Sequence, residues 1–235
     1  MTQAVDLANA INGFVVGCKQ DGIWDAIKAC CIMAAWDGLN GALYPLKGAA
    51  PTNFNFVSGD YNRETGLVGD GSTKYLNSNN NVNFDPQNNH HLSIAITRNS
   101  NSIQAFIGGR QSTATSVGGK LLAYTTLPAF RSVPSNGALN ESGSLPLSAQ
   151  SFMGLSRNNA SNYIARVSGS NTTITSSSTS PANVDITVFG NNASDGIVTL
   201  SDARLAFYSI GESLDLAALD TRVSALITAI GAAIP

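Results

Sequence analysis

Hydrophobic and polar positions alternate most clearly near the end of the chain, in residues 202–233. A two-residue period puts Leu205, Phe207 and Ser209 on one side of a predicted strand. The other side then carries the apolar residues Ala206, Tyr208 and Ile210. Because both sides carry apolar side chains, the strand belongs inside a sheet that is covered on both faces.

A C-terminal helix is predicted directly after this strand, over residues 213–233. Gly211 breaks the strand, Ser213 is a suitable N-cap, and Asp215 falls in the first turn, where a negative charge favours a helix. Apolar residues then recur every three or four positions and form one stripe: Leu216, Leu219, Val223, Leu226 or Ile227, and Ile230. A buried strand followed by a docked helix predicts a closed sandwich.

The N-terminal segment, residues 1–36, carries a helical period. We expect a first helix over residues 3–18 and a second over residues 21–36, with Asp21 as its cap. The inward positions of the second are Ile23, Trp24, Ile27, Cys31 and Ala34. Both helices are expected to pack on the sandwich, and a contact between copies of the chain is the alternative.

Between residues 42 and 211 the period falls to two, and the apolar segments become short and are separated by turn residues. This pattern predicts ten to twelve strands, including a hairpin formed by residues 91–98 and 102–107 and a meander within residues 150–176. Residues 77–83, rich in asparagine, and residues 135–148 are predicted loops. No linker or long repeat interrupts the pattern, so residues 1–235 are predicted to form one domain.

Composition narrows the possible functions. Only 12% of the 235 residues are charged and the net charge is −2, which excludes the basic patch that a nucleic-acid-binding protein needs. No basic segment precedes Asp6, so a secretory signal is not expected. No apolar run approaches the roughly 20 residues of a membrane span.

The three cysteines are Cys18, Cys30 and Cys31. Their number is odd, and adjacent cysteines rarely bridge each other. We expect buried thiols in a protein made in a reducing cytosol. No C-x-x-C pair occurs, and therefore a zinc site is not expected.

Residues 66–74, GLVGDGSTK, superficially resemble a phosphate-binding loop. In a P-loop the lysine directly precedes the serine or threonine, whereas here Ser72 and Thr73 precede Lys74. The segment is therefore predicted to be a glycine turn that leads into a strand. No G-x-S-x-G elbow is present in the chain either.

Metal ligands and catalytic groups are sparse. His90 and His91 are adjacent, so on a strand they point to opposite faces and cannot converge on one ion. Asp60, Asp70 and Asp85 fall in predicted turns and are the only candidates for calcium, but they form no ladder of closely spaced acids. N-x-S/T triplets are interpreted as chance products of an Asn- and Ser-rich chain: Asn140, Asn159, Asn171 and Asn192.

Four longer segments carry a resemblance that spans nearly the whole chain: INGFVVGCKQDGIWDAIKA, PTNFNFVSGDYNRETGLVGDGSTKYLNSN, SFMGLSRNNASNYIARVSG and DARLAFYSIGESLDLAALDTRVSAL. They resemble phage and prophage virion proteins with a concanavalin A-like (laminin-G-like) jelly-roll domain, many of them tail fibre or structural proteins. The most specific parts are GLVGDGSTKYL and LAFYSIGESLD. The resemblance implies a two-sheet jelly roll flanked by terminal helices, no catalytic centre, and a place on a virus particle.

Together these observations predict a mainly β fold, a concanavalin A-like jelly-roll β-sandwich over residues 42–211 with two N-terminal helices and one C-terminal helix. The expected function is a non-enzymatic bacteriophage virion component of the tail fibre or knob type. Its exposed loops, residues 77–86 and 135–148, would contact a host-surface glycan or protein. A capsid decoration protein is the alternative, and a carbohydrate-active enzyme is disfavoured because no carboxylate pair is evident.

No catalytic residue, cofactor or metal is predicted, and no ligand-binding residue is assigned. The expected partners are other virion proteins and further copies of the chain, with a trimer favoured; nucleic acid and membrane insertion are not expected. The protein would be made in the host cytoplasm and reside in the virion.

Overall fold

The structure is a computed structural model that describes residues 2–100, 102–114, 117–132, 140–141 and 150–234. These residues contain three α-helices and one 3-10 turn: α1 (Thr2–Gln20), α2 (Leu39–Ala42), α3 (Leu216–Ala233) and the turn Ser58–Asp60. The strands in the same residues are short and are numbered in chain order: β1 (Ile27–Ile32), β2 (Pro45–Lys47), β3 (Thr52–Phe54), β4 (Tyr61–Asn62), β5 (Gly66–Val68), β6 (Tyr75–Asn81), β7 (His90–Arg98), β8 (Gln104–Arg110), β9 (Lys120–Tyr124), β10 (Pro128–Ser132), β11 (Asn140–Glu141), β12 (Ser151–Arg157), β13 (Asn162–Val167), β14 (Ser170–Thr175), β15 (Asp185–Val188), β16 (Asn191–Ala193), β17 (Gly196–Val198) and β18 (Arg204–Gly211).

Two sheets stack face to face. The first, named here the helix-covered sheet, has the order β14-β13-β12-β7-β18-β1-β2, with β5 beside β18 and β4 beside β5. The second, the outer sheet, has the order β11-β10-β9-β8-β15-β6-β3, with the β16–β17 hairpin joined to β8. Neighbouring strands run antiparallel along both paths, as expected for a sandwich rather than for a sheet made of βαβ units.

Apolar side chains fill two separate spaces. Between the sheets, Ile94 and Tyr208 meet Phe106 and other residues of the outer sheet. On the opposite side of the helix-covered sheet, Phe207 packs beneath α1 and α3, and its ring centroid lies 5.5 Å from that of Phe14. The fold therefore has three layers, and β18 is covered on both faces as predicted. The predicted mainly β, jelly-roll sandwich class is confirmed.

The strand–helix unit at the end of the chain differs from the prediction in two details. A register shift between Leu205 and Phe207 changes the alternation, so Leu205 joins the core between the sheets while Phe207 faces the helices. The cap of α3 is Asp215, which accepts hydrogen bonds from the backbone of Ala217 and Ala218. Ser213 instead donates to Asn89.

By length and composition, α3 would suffice to cross a membrane. Its predicted apolar stripe, however, is buried against the helix-covered sheet and α1, which is the arrangement of a core helix.

The second N-terminal helix, predicted over residues 21–36, is wrong, because residues 27–32 form β1 between β18 and β2. Cys30 and Ile32 face the helices, whereas Ala29 and Cys31 face the outer sheet. A run that is apolar on both faces satisfies a helical period as well as a doubly covered strand. The sandwich therefore begins before residue 42.

Of four smaller predictions, two are wrong, one falls mostly outside the described residues, and one is confirmed. The strands predicted as a hairpin, β7 and β8, lie in different sheets, because the chain crosses between layers after Arg98. The predicted loop at residues 77–83 is mostly β6. The predicted loop at residues 135–148 lies outside the described residues except for β11. The meander is confirmed as β12, β13 and β14.

Candidate functional site

The solvent side of β3, β6 and β15 carries a set of ordered polar and aromatic side chains. In β6, Leu76 is buried between the sheets and Ser78 donates to the carbonyl of Ile186 at 2.6 Å, so the alternate residues face outward. Cross-strand register sets Phe54 beside Tyr75 and Thr52 beside Asn77. We name this surface the amide–aromatic face, defined as Thr52, Phe54, Tyr75, Asn77, Asn79, Asn81, Asn183 and Asp185.

The aromatic part of the face is a stacked pair. The ring centroids of Phe54 and Tyr75 are 4.4 Å apart and the rings are inclined by 11°. Phe54 remains 38% exposed, so the pair presents an apolar flat surface to solvent.

A short loop holds Phe54 outward. The two-residue period predicts that Phe54 and Phe56 share a face, but Asn55 between them has a φ of 67°, so the chain bends there and the alternation of the strand is broken. Phe56 therefore enters the core, 4.9 Å from Phe189 between ring centroids. The Asn53 side chain closes the loop by bonding to both backbone groups of Phe56 at 3.0 Å.

The polar part of the face is a row of amides around one carboxylate. Asn77 Nδ2 donates to Asp185 Oδ2 at 3.0 Å, and Asn81 Nδ2 lies 3.4 Å from Asp185 Oδ1. Asn81 also donates to Asn183 Oδ1 at 3.0 Å. Asn79, with a φ of 55° in a bulge of β6, donates to the carbonyl of Ala50 at 2.8 Å. These contacts fix the side chains before any ligand arrives.

This arrangement suits a ligand with an apolar flat side and many hydroxyl groups. An aromatic ring contacts the apolar side, and each amide supplies both a donor and an acceptor. Among the eight residues, Asp185 is the one charged side chain.

The glycine segment at residues 66–74 contains a turn that leads into a strand, β6, as predicted, although its first residues form the short strand β5. Asp70 accepts hydrogen bonds from the backbone of Ser72, Thr73 and Lys74. Burial acts to raise the pKa of Asp70, but the hydrogen bond from the Thr73 hydroxyl and these backbone bonds outweigh it and lower the pKa. Since the turn's own carboxylate occupies these N–H groups, the segment is a closed turn and not an anion cradle.

The two histidines lie on opposite faces of β7, as predicted. His91 Nδ1 lies 2.6 Å from the carbonyl of Glu212 and must donate to it, so Nε2 accepts from Ser209 Oγ at 2.9 Å. This resembles the pair of a serine nucleophile, but His91 and Ser209 are completely buried. Burial lowers the pKa of His91 to about 4. His90 is equally buried, and burial, followed by the charge of Lys120, lowers its pKa well below that of an ordinary histidine.

The three acids considered for calcium have separate partners. Asp60 binds Lys74 at 2.5 Å, Asp85 binds Lys120 at 3.3 Å, and Asp70 closes its own turn. Across the described ranges, no three His, Cys, Asp or Glu side chains are grouped to hold a metal.

The three cysteines are free and buried, as predicted, although Cys30 and Cys31 lie in β1 and not in a helix. Burial raises the pKa of Cys18 and of Cys30 to about 12. The thiols therefore act as small apolar side chains of the core.

The sequence does not predict the amide–aromatic face, because the asparagine-rich composition of residues 77–83 favours a loop. A usable signal exists: Leu76 and Ser78 are small or apolar inward positions between Tyr75, Asn77 and Asn79. That alternation is a strand pattern whose outer side is polar.

No protein-family model and no curated protein matches the chain. Among solved structures, a mutant of Trypanosoma rangeli sialidase displaying trans-sialidase activity is similar with a TM-score of 0.58 and 12% identity over 97% of this chain and 38% of that one. Trypanosoma rangeli sialidase in complex with sialic acid has a TM-score of 0.54 and 13% identity, over 86% of this chain and 33% of that one. The botulinum neurotoxin serotype D binding domain has a TM-score of 0.56 and 14% identity, over 86% of this chain and 51% of that one. The chain thus spans about half or less of these proteins, and the likeness shows the jelly-roll fold.

Proposed function

We propose that this chain is a non-enzymatic binding module whose amide–aromatic face contacts a carbohydrate. The observation that carries the proposal is the exposed Phe54–Tyr75 stack beside an ordered amide row. Aromatic stacking with convergent amide hydrogen bonds supplies orientation as well as contact area. The proteins that share the fold include a neurotoxin binding domain and a sialidase in complex with sialic acid, which is compatible with this role.

A role in catalysis is not part of the proposal. Glycoside cleavage uses two carboxyl groups on opposite sides of the scissile bond, whereas the amide–aromatic face contributes only Asp185. The Ser209–His91 pair is completely buried and does not reach solvent. These features support binding over bond cleavage.

The finer proposal places the module on a phage particle, as a tail fibre or knob, together with other virion proteins and further copies of itself. Its support is the resemblance of the four sequence segments to phage virion proteins. Copy number on purified particles tests it: a few tens of copies fit a tail appendage, and hundreds fit the alternative, a capsid decoration protein. Absence from the particle would refute both.

The binding proposal is tested on an array of immobilised oligosaccharides. Phe54→Ala removes half of the aromatic stack and is expected to weaken binding at least tenfold, or about 1.4 kcal/mol. Tyr44→Ala is the matched control, because Tyr44 is 69% exposed and lies outside the face. Wild-type protein that binds no oligosaccharide, or Phe54→Ala protein that binds like the control, would overturn the proposal.

A further inference from the structure

We infer that the amide–aromatic face selects uncharged saccharides and discriminates against sugars that carry a carboxylate, such as sialic acid. The inference rests on the proposed function and adds the class of ligand. It follows from the charges and hydrogen-bonding groups at the face.

The first argument for this selectivity is the negative charge that Asp185 gives the face. Asp185 receives Asn77 on one oxygen and Asn81 on the other, at 3.0 and 3.4 Å, so its carboxylate is held among the amides that a ligand would use. A sugar carboxylate bound to those amides would lie within a few ångströms of Asp185. Like charges at such a distance repel, most strongly where water is displaced.

No cation of the face offsets this repulsion, since the eight defining residues include no lysine or arginine. Lys74 directly precedes Tyr75, but its ammonium group binds Asp60 at 2.5 Å. Lys120, in the same sheet, is completely buried with Asp85. Carboxylate ligands are commonly held by a bidentate arginine, which this face lacks.

The hydrogen-bonding groups fit hydroxyls better than carboxylates. Asn183 accepts through Oδ1 from Asn81 at 3.0 Å and from Asn83 at 3.4 Å, and because the residue is exposed its amide nitrogen can donate to a ligand. Asp185 can only accept. A sugar hydroxyl can donate to Asp185 and accept from an amide at the same time. A sugar carboxylate can accept from the amide but cannot donate to Asp185.

The test compares matched oligosaccharides that differ only by a terminal sialic acid, for example lactose and sialyllactose, across a panel of such pairs. Binding of each is measured by titration calorimetry at low salt. For every pair in which the neutral member binds, we expect the sialylated member to bind about tenfold more weakly. The difference should shrink in 1 M salt, because surface charges are then screened.

Asp185→Asn removes the charge and keeps the shape, so it should narrow the difference between the members of a pair. Sialylated members that bind as tightly as neutral ones, with binding still lost in Phe54→Ala, would overturn this inference and leave the binding proposal standing. An unchanged difference in Asp185→Asn would also overturn it. Absence of binding by every member would overturn the binding proposal itself.

Discussion

Breaking the ion pair between Lys120 and Asp85 should destabilise the fold more than any surface change. Lys120 is completely buried, Asp85 is 5% exposed, and Nζ lies 3.3 Å from Oδ2. Burial lowers the pKa of Lys120 and raises the pKa of Asp85, and each charge opposes the shift of the other. The pair is therefore held by mutual neutralisation in a poorly solvated place.

The magnitude follows from this geometry. At 3.3 Å and an effective dielectric constant of about 20, the attraction is about 5 kcal/mol, which roughly offsets the cost of burying both ions. Removing one partner leaves the other uncompensated and should cost about 3–5 kcal/mol at pH 7. Replacing both, as in Lys120→Met with Asp85→Leu, should cost much less than the sum of the single changes.

The single variants should also have opposite pH dependence. In Lys120→Met the pKa of Asp85 rises further, so the penalty is smallest at acidic pH and grows as pH rises above about 4, the pKa of an aspartate in the unfolded chain. In Asp85→Asn the pKa of Lys120 falls further, so the penalty shrinks as pH rises toward 10. If the variants were destabilised only by a steric defect, their loss of stability would not change with pH in opposite directions.

Urea unfolding followed by the fluorescence of Trp24 and Trp36 measures these quantities at pH 4.5, 7 and 9.5. Lys28→Met is the matched control, because the Lys28–Glu212 pair has a similar 3.2 Å separation but side chains that are 44% and 40% exposed. The control should cost no more than about 1 kcal/mol. The reasoning would be falsified if Lys120→Met and Asp85→Asn lost no more unfolding free energy than Lys28→Met. It would also fail if the losses of the two variants changed with pH in the same direction.

Three further predictions concern the pH response, a close backbone contact and a helix cap. Because burial holds the pKa of His91 near 4, against 6.5 for an ordinary histidine, this side chain should account for about 3 kcal/mol of the stability lost as pH drops from 6.5 to 4; His91→Gln should remove that share of the urea-measured loss and leave the share of His90, whose pKa burial also lowers. Gly66→Ala should destabilise the fold by more than about 2 kcal/mol, because Gly66 has a φ of 92° and a Cβ there would lie 2.1 Å from the carbonyl oxygen of Leu205. Its control is Gly13→Ala, on α1, where a Cβ meets nothing within 4 Å, so this change should be neutral or stabilising. Thermal melting measures both variants. Asp215→Ala should cost about 1 kcal/mol in the same assay, and Asp215→Asn, which keeps the cap, should cost less.

The sequence predicted most reliably the elements whose pattern had one interpretation. The stripe of α3 is buried as expected, because an eighteen-residue helix with one apolar side has few alternatives. The sequence mispredicts β1 because Ile27 and Cys31 fit one helical stripe, while in β1 they lie on opposite faces that are both apolar; only the two layers covering the strand decide between the two structures. Such layers are formed by distant residues and have no local signal.

The same reason explains why the candidate site was not predictable residue by residue. Asp185 lies about a hundred positions after Asn77 and Asn81 in the chain. These side chains meet only because β6 pairs with β15. The pairing register is set by Leu76 and Val188, the apolar residues that enter the core beside them. A shift by one residue would turn the amides inward and the apolar residues outward. The polar surface thus depends on the burial behind it, because the core residues fix the register that aligns its side chains.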